Sequence, residues 1–156
     1  MERVLRYRSD NVTWDEVVPG LFQGDWPHPA DLTEFDVLVS MTAEGVPPTP
    51  DARPDLVHLV CAIHDAEMTC PDEVRGMARE VARRHAHGER VLVHCAQGLN
   101  RSGVVVARAL MFSGYSAPDA VRAVRNARGP WALCNEHFEA WLYDEARETA
   151  QTALWG

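Results

Sequence analysis

The stretch Val91-Leu92-Val93-His94-Cys95-Ala96-Gln97-Gly98-Leu99-Asn100-Arg101-Ser102-Gly103 decides the fold. A short apolar run ends at His94-Cys95, five residues intervene, and Arg101-Ser102 opens a second apolar stretch. A cysteine therefore stands at the end of a strand and an arginine at the start of a helix. The chain between them must curl into a loop whose N–H groups converge. Such a nest, backed by a helix N-terminus, is an anion site, and phosphate is its commonest occupant.

The residue types suit that site. Converging amides, the positive helix end and a guanidinium all favour a thiolate, the nucleophilic form of cysteine, so Cys95 is the expected nucleophile. Arg101 offers a planar fork that grips two phosphate oxygens at once, a geometry lysine cannot reproduce. Gly98 permits the tight or positive-φ turn that the loop needs. The amides of Ala96, Gln97, Gly98, Leu99, Asn100 and Arg101 are the expected anion donors, and the Ser102 hydroxyl is placed to hydrogen-bond the sulfur.

Working outward, Asp36-Val37-Leu38-Val39-Ser40 is apolar on both faces and reads as a central strand. Residues 17–24 read as a turn into a short strand, Asp55 to Ile63 as a third strand and Val91 to His94 as a fourth. Glu44 to Pro54 holds four prolines and reads as a loop. Pro71-Asp72-Glu73 opens a helix whose Val74, Met77, Ala78, Val81, Ala82 and His85 recur at helical spacing until Gly88. Arg101 to Phe112 is apolar nearly all round, as a buried helix should be. Ser116, with Asp119 three residues on, opens another helix, and Asn135 caps a last one with Phe138, Trp141, Leu142 and Ala146 in one stripe.

Strands alternating with helices predict an α/β fold. The expectation is a central, mostly parallel (mixed) sheet of four to five strands flanked by helices. The phosphate-binding loop lies between a strand and a buried helix, at the carboxyl end of the sheet where ligands of such folds sit. No repeat or linker divides the 156 residues, so residues 1–156 are read as a single domain.

Composition narrows the function. A net charge of -8 disfavours general affinity for nucleic acid or for an anionic membrane, since both require a basic footprint. It permits a phosphorylated substrate, because only the pocket must be positive. No apolar run approaches the roughly 20 residues that span a bilayer, and Met1 to Arg6 carries no secretory core, so a cytoplasmic location is expected. Cys61, Cys70, Cys95 and Cys134 have neither zinc-ligand spacing nor a disulfide framework and read as reduced thiols.

His-Cys, five residues, then Arg-Ser resembles the signature of cysteine-dependent protein phosphatases, and this copy is most similar to the dual-specificity branch of the protein tyrosine phosphatase superfamily. Pro19-Gly20-Leu21-Phe22-Gln23-Gly24 resembles the opening strand of that branch. Ala132-Leu133-Cys134-Asn135-Glu136-His137-Phe138 resembles its Asn-x-x-Phe segment. The resemblance implies a protein phosphatase that hydrolyses phosphotyrosine, and phosphoserine or phosphothreonine, through a phosphocysteine, with no cofactor and no metal. His94 would then support the loop by hydrogen-bonding its backbone. One position departs from the family pattern: Asn100 stands where a smaller residue is usual, and its side chain is expected to alter contact with substrate.

Ester cleavage also needs a proton for the leaving oxygen, which a thiolate cannot supply. Asp65 is the candidate acid, 30 residues before the nucleophile and beyond an apolar strand that ends at the same sheet edge. Glu67 is its rival; Asp72 is better explained as a first-turn helix acid. The Arg122, Arg125 and Arg128 series reads as a solvated helix face, or as a second phosphate contact. His85 and His87 suit a helix C-terminus better than a metal site.

The expected partner is a phosphorylated protein, with no nucleic acid and no membrane, and the protein is expected to be a monomer. The alternatives are a phosphatase for phosphoinositides or other small phosphate esters on the same fold, or a non-catalytic phosphopeptide-binding module. Phosphoinositide enzymes usually place lysines in the loop, and this loop has none. An RNA 5′-triphosphatase meets the same objection, and a sulfurtransferase would leave the acid unexplained.

Overall fold

Three four-residue segments, Leu21–Gly24, Val37–Ser40 and Val91–His94, are buried at every position. Residues buried on both faces cannot sit at a sheet edge, and these three form its centre. The computed structural model describes residues 14–43 and 54–155. Within them the strands are β1 (Trp14–Val18), β2 (Leu21–Gly24), β3 (Val37–Ser40), β4 (Val57–Val60) and β5 (Val91–His94). They hydrogen-bond in the order β1-β2-β5-β3-β4, with β1 antiparallel to β2 and every other pair parallel. The fold is α/β with a five-stranded mixed sheet.

Register positions the site. Gly24 pairs with His94 and His94 with Ser40, so the last residues of three parallel strands lie side by side. Cys95 follows at once, its N–H donating to the Gly24 carbonyl at 3.2 Å.

Four α-helices complete the described residues, the first between β4 and β5 and the rest after β5: α1 (Pro71–Ala86), α2 (Arg101–Phe112), α3 (Ala117–Arg128) and α4 (Glu136–Trp155). All four contribute to one apolar cluster, with Leu21, Val37, Val39, Val91 and Val93 rising to meet them from the sheet. Residues between those strand positions point to the opposite face. There Phe22, Leu38 and Leu92 join Trp14, Leu32 and Phe35, covered by a 3-10 helix at Pro29–Glu34. Trp14, Phe22 and Phe35 meet edge to face at 5.1–5.4 Å between centroids, the arrangement that aromatic quadrupoles favour. The helices thus gather on one face instead of flanking both. No helix among the described residues is long and apolar enough to cross a membrane.

The differences from the sequence expectation have physical causes. β1 escapes notice because Asp15 and Glu16 interrupt its apolar pattern, as an edge strand allows. The third strand is shorter than residues 55–63, but the chain beyond it still follows β3 through Cys61 N–H to Ser40 O (2.9 Å). Ser116 caps α3 by accepting from the Asp119 N–H, while the Asp119 carboxylate turns to Arg122 instead of closing a capping box. The proline-rich loop lies outside the described residues except for Pro54, as does the N-terminal segment 1–13.

Candidate active site

The loop between β5 and α2 is built from the outside. Its carbonyls are pinned: Gly98 O accepts from Gln23 Nε2 and from Arg128 Nε, both at 3.0 Å. Gln97 O accepts from Arg128 Nη2 at 3.4 Å, and Leu99 O from the Leu133 N–H at 3.2 Å. Arg128 is itself held by Asp15 Oδ2 at 2.9 Å. With the carbonyls turned out, the amides of residues 96–100 have no protein acceptor among the described residues. Unpartnered N–H groups in a curled loop form the nest that an anion fills.

Gly98 makes the curl possible. Its φ is +68°, and a Cβ there would lie 2.5 Å from the Gly24 carbonyl carbon and 2.7 Å from the Asp25 N. Even alanine would meet both the backbone strain and β2 itself.

Cys95 is buried, 2% exposed, with the Ser102 hydroxyl 3.3 Å from Sγ. Arg101, the first residue of α2, makes no side-chain hydrogen bond or ion pair among the described residues and is half-buried. The site therefore brings together a sulfur, a hydroxyl, unpartnered amides and an uncommitted guanidinium. Chemically it can bind a tetrahedral oxyanion and present it to the sulfur.

His94 lies under this cradle, fully buried, with Nε2 2.6 Å from Ser40 Oγ; that oxygen is in turn 2.8 Å from His58 Nε2. One hydroxyl proton serves only one ring, so the other histidine must carry its own proton on Nε2. Burial lowers the His94 pKa to about 4, helped by the neighbouring His58. The ring is thus neutral at physiological pH, and Trp26 leans on it at 5.1 Å. The Ser40 and His58 partners were not anticipated from sequence.

Asp65 stands in the loop after β4, exposed, and two amides hold it. Asn100 Nδ2 donates to Oδ2 at 3.1 Å and Asn135 Nδ2 to Oδ1 at 2.8 Å. Asn135 Nδ2 also donates to Ala66 O at 2.9 Å, while its Oδ1 caps α4 by accepting from His137 and Phe138 N–H. These residues line an open hollow of about 300 Å³ that also includes Cys134. The Asn100 side chain is buried and its polar atoms are engaged by Asp65, Cys134 and Asn135. Its polar groups find partners there that the loop interior does not offer.

The rivals fall elsewhere. Asp72 is bound by Arg75 at 2.7 Å, and Glu67 is exposed with no hydrogen bond among the described residues. Of the arginine series only Arg122 is a solvated helix residue, paired with Asp119. Arg125 ties the Ala132 and Leu133 carbonyls to Glu139, and Arg128 is the buried strut already described. Both readings of that series, solvated face and second phosphate contact, therefore fail for Arg125 and Arg128. His85 and His87 bind separate carbonyls, Pro19 O and Arg83 O. All four cysteines are free thiols.

Sequence reasoning missed Gln23, Arg128 and the Asn100–Asn135 pair. Gln23 carried a signal, since a glutamine inside Leu21-Phe22-Gln23-Gly24 is a polar group with nowhere to go but a buried partner.

Comparison with known proteins agrees with this geometry. The family model for the dual specificity phosphatase catalytic domain matches residues 26–148. An RNA/RNP complex-1-interacting phosphatase homolog from Caenorhabditis elegans is 29% identical over 87 residues, 55% of this chain and 37% of that protein. The chain thus spans little more than a third of the length of that curated relative. The crystal structure of Tk-PTP in the active form has a TM-score of 0.72 at 26% identity, over 87% of this chain and 97% of that one. Human DUSP28 shares the fold, with a TM-score of 0.74 at 23% identity over 88% of this chain and 95% of that one. With the family match extending across both the loop that carries Asp65 and the loop between β5 and α2, this chain belongs to the dual specificity phosphatase catalytic domain family.

Proposed function

We propose that the protein is a cysteine-dependent phosphatase that hydrolyses phosphotyrosine, and phosphoserine or phosphothreonine, in phosphorylated proteins. One observation carries the reading: in the loop that follows a sulfur with Ser102 at 3.3 Å, the amides of residues 96–100 have no protein partners among the described residues, and Arg101, which ends that loop, has no side-chain partner there either. Amides curled into a nest without protein acceptors are available to an anion, so their concentration beside one sulfur supports an anion-binding catalytic site.

In the first step the Cys95 thiolate attacks phosphorus in line, forming an S–P bond as the P–O bond to the leaving group breaks. Arg101 and the amides of residues 96–101 hold the equatorial oxygens, and Asp65 gives its proton to the leaving oxygen. In the second step the Asp65 carboxylate takes a proton from water as that water attacks phosphorus. The S–P bond breaks, and Ser102 donates to the departing thiolate.

The acidic balance supports a phosphoprotein rather than a nucleic-acid substrate or a membrane surface. The RNA/RNP partner in the relative's name stays with that relative. Four free thiols, one of them the nucleophile, suit the reducing cytoplasm, and we read the active unit as a monomer that needs no cofactor.

The test is a rate profile of purified protein across p-nitrophenyl phosphate, a phosphotyrosine peptide, a phosphothreonine peptide and a phosphoinositide. Turnover of the peptides, abolished in Cys95→Ser, is expected. A clear preference for the phosphoinositide, or peptide binding without turnover, would overturn the assignment in favour of a lipid phosphatase or a binding module.

A further inference from the structure

Asparagine is among the best helix N-caps, because its side-chain oxygen satisfies the first free N–H groups of the helix. Asn100 occupies the N-cap of α2 and makes no such bond. Its polar atoms go to residues 35 positions away on either side: Nδ2 to Asp65 and Oδ1 to the Asn135 N–H. Two consequences follow. The first N–H groups of α2 stay free for an anion, and the cradle is physically linked to the carboxyl group proposed as the acid.

The amide orientation is not ambiguous. A backbone N–H can only donate, so the atom of Asn100 facing Asn135 N must be the oxygen, and the nitrogen must face Asp65. Asn135 is fixed in the same way, because its oxygen faces the His137 and Phe138 N–H groups. Each oxygen of Asp65 thus meets a donor of settled identity and keeps a lone pair open. Docking of α4 does not require Asn100, since Asn135 already caps that helix.

We propose that Asn100 is a positioning residue for the general acid. It locks Asp65 to the cradle before substrate arrives, so that proton delivery to poor leaving groups needs no loop closure. The inference rests on the proposed phosphatase reading and on Asp65 as its acid. Holding a proton donor in place matters only where the leaving oxygen needs a proton. Asn100 therefore sets how well the enzyme handles alkyl esters such as phosphoserine relative to esters with acidic leaving groups.

The experiment is a double-mutant cycle with Asn100→Ala and Asp65→Asn, assayed on a phosphoserine peptide and on an aryl phosphate with a highly acidic leaving group. Inhibition by vanadate measures the cradle itself. Asn100→Ala is expected to cost about 10- to 100-fold in kcat on the peptide and less than about 3-fold on the aryl ester, since misplacement by an ångström has effects of this order. Vanadate inhibition should be unchanged, and in the Asp65→Asn background Asn100→Ala should cost nothing more on either substrate. Asn100→Ser, whose hydroxyl is too short to span both partners, should repeat the pattern and serves if the alanine variant folds poorly.

Equal losses on both substrates, weakened vanadate binding, or losses that add to those of Asp65→Asn would overturn the role of Asn100. Should Asp65→Asn itself show no leaving-group selectivity, the acid assignment fails first. That outcome is distinguishable, because it appears in the single variant with Asn100 intact.

Discussion

The two ends of α2 treat their arginines in opposite ways. Arg108, two turns beyond Arg101, is buried against Glu145 at 3.1 Å and stacked on Phe112 at 4.0 Å. Arg75 grips the same carboxylate with two hydrogen bonds, at 2.7 and 2.9 Å, so that Glu145 ties α1, α2 and α4 together. Arg101, at the other end, has no protein partner among the described residues. The fold neutralises the cation it uses for structure and leaves without a partner, among the described residues, the one that opens the helix. Desolvation explains the contrast: a buried charge without a partner costs several kcal/mol, whereas a half-exposed one at a site mouth stays solvated until an anion replaces the water.

This contrast is breakable. Arg101→Ala should reduce kcat/KM by about 10⁴-fold, the order expected for a guanidinium on a transferring phosphoryl group, while the melting temperature stays within a degree or two. Arg101→Lys should recover little, because the two-pronged grip is lost. Glu145→Ala should do the reverse. Burial pushes the Glu145 carboxyl up, yet Arg75 and Arg108 together hold it below its usual value, so the pair is formed at neutral pH. Removing it strands the buried Arg108 and should cost about 3 to 4 kcal/mol in urea unfolding, with kcat of the folded fraction unchanged. A catalytic defect in Glu145→Ala, or an unfolding defect in Arg101→Ala, would erase the distinction.

The cradle's floor adds a pH dependence at higher pH than the α2 clip, whose Glu145 loses its stabilising charge only below the ordinary carboxylate range. His94 titrates near 4 when folded and near 6.5 when unfolded, so between those values the unfolded chain binds more protons. Stability is therefore complete above about pH 6.5 and falls by roughly 3 kcal/mol as the pH drops toward 4. Urea titrations of wild type and His94→Gln at pH 7.5 and 4.5 would check it: the variant should lose much of this pH dependence.

The smallest effect belongs to Asp25, beside Gly98 at the end of β2. Burial raises its pKa to about 6, against the pull of Arg128 and of a backbone hydrogen bond. Here the folded state binds more protons between 3.8 and 6, so ionisation above that window destabilises. Asp25→Asn should stabilise the protein at pH 8 by about 1 kcal/mol, after allowance for solvent screening of a half-exposed group, and by almost nothing at pH 4. Thermal melts at both pH values would detect it.

How much of this is legible in the sequence follows the same line. Cys95, Gly98, Arg101 and Ser102 are neighbours in the chain, and a strand ahead with a buried helix behind gives their arrangement local punctuation. The helices announce themselves through period and caps. What supports the cradle is not local. Gln23 reaches Gly98 across 75 residues, Arg128 reaches Asp15 across 113, and Asn100 meets Asp65 and Asn135 at 35 each way. No periodicity links such positions, and an arginine on an amphipathic helix reads as solvated until the fold shows what it lies against. Glu145 is invisible for the same reason: its two arginines sit 70 and 37 residues upstream.

The central claim is that the sulfur at the foot of the cradle carries the phosphoryl group between two half-reactions. Rapid acid quench of the protein turning over a phosphotyrosine peptide, followed by peptide mapping, tests it directly. A transient phosphoryl group on Cys95, formed before product phosphate is released and absent from Cys95→Ser, is the expected result. Phosphate release with no adduct on Cys95, or an adduct on any other residue, would contradict it.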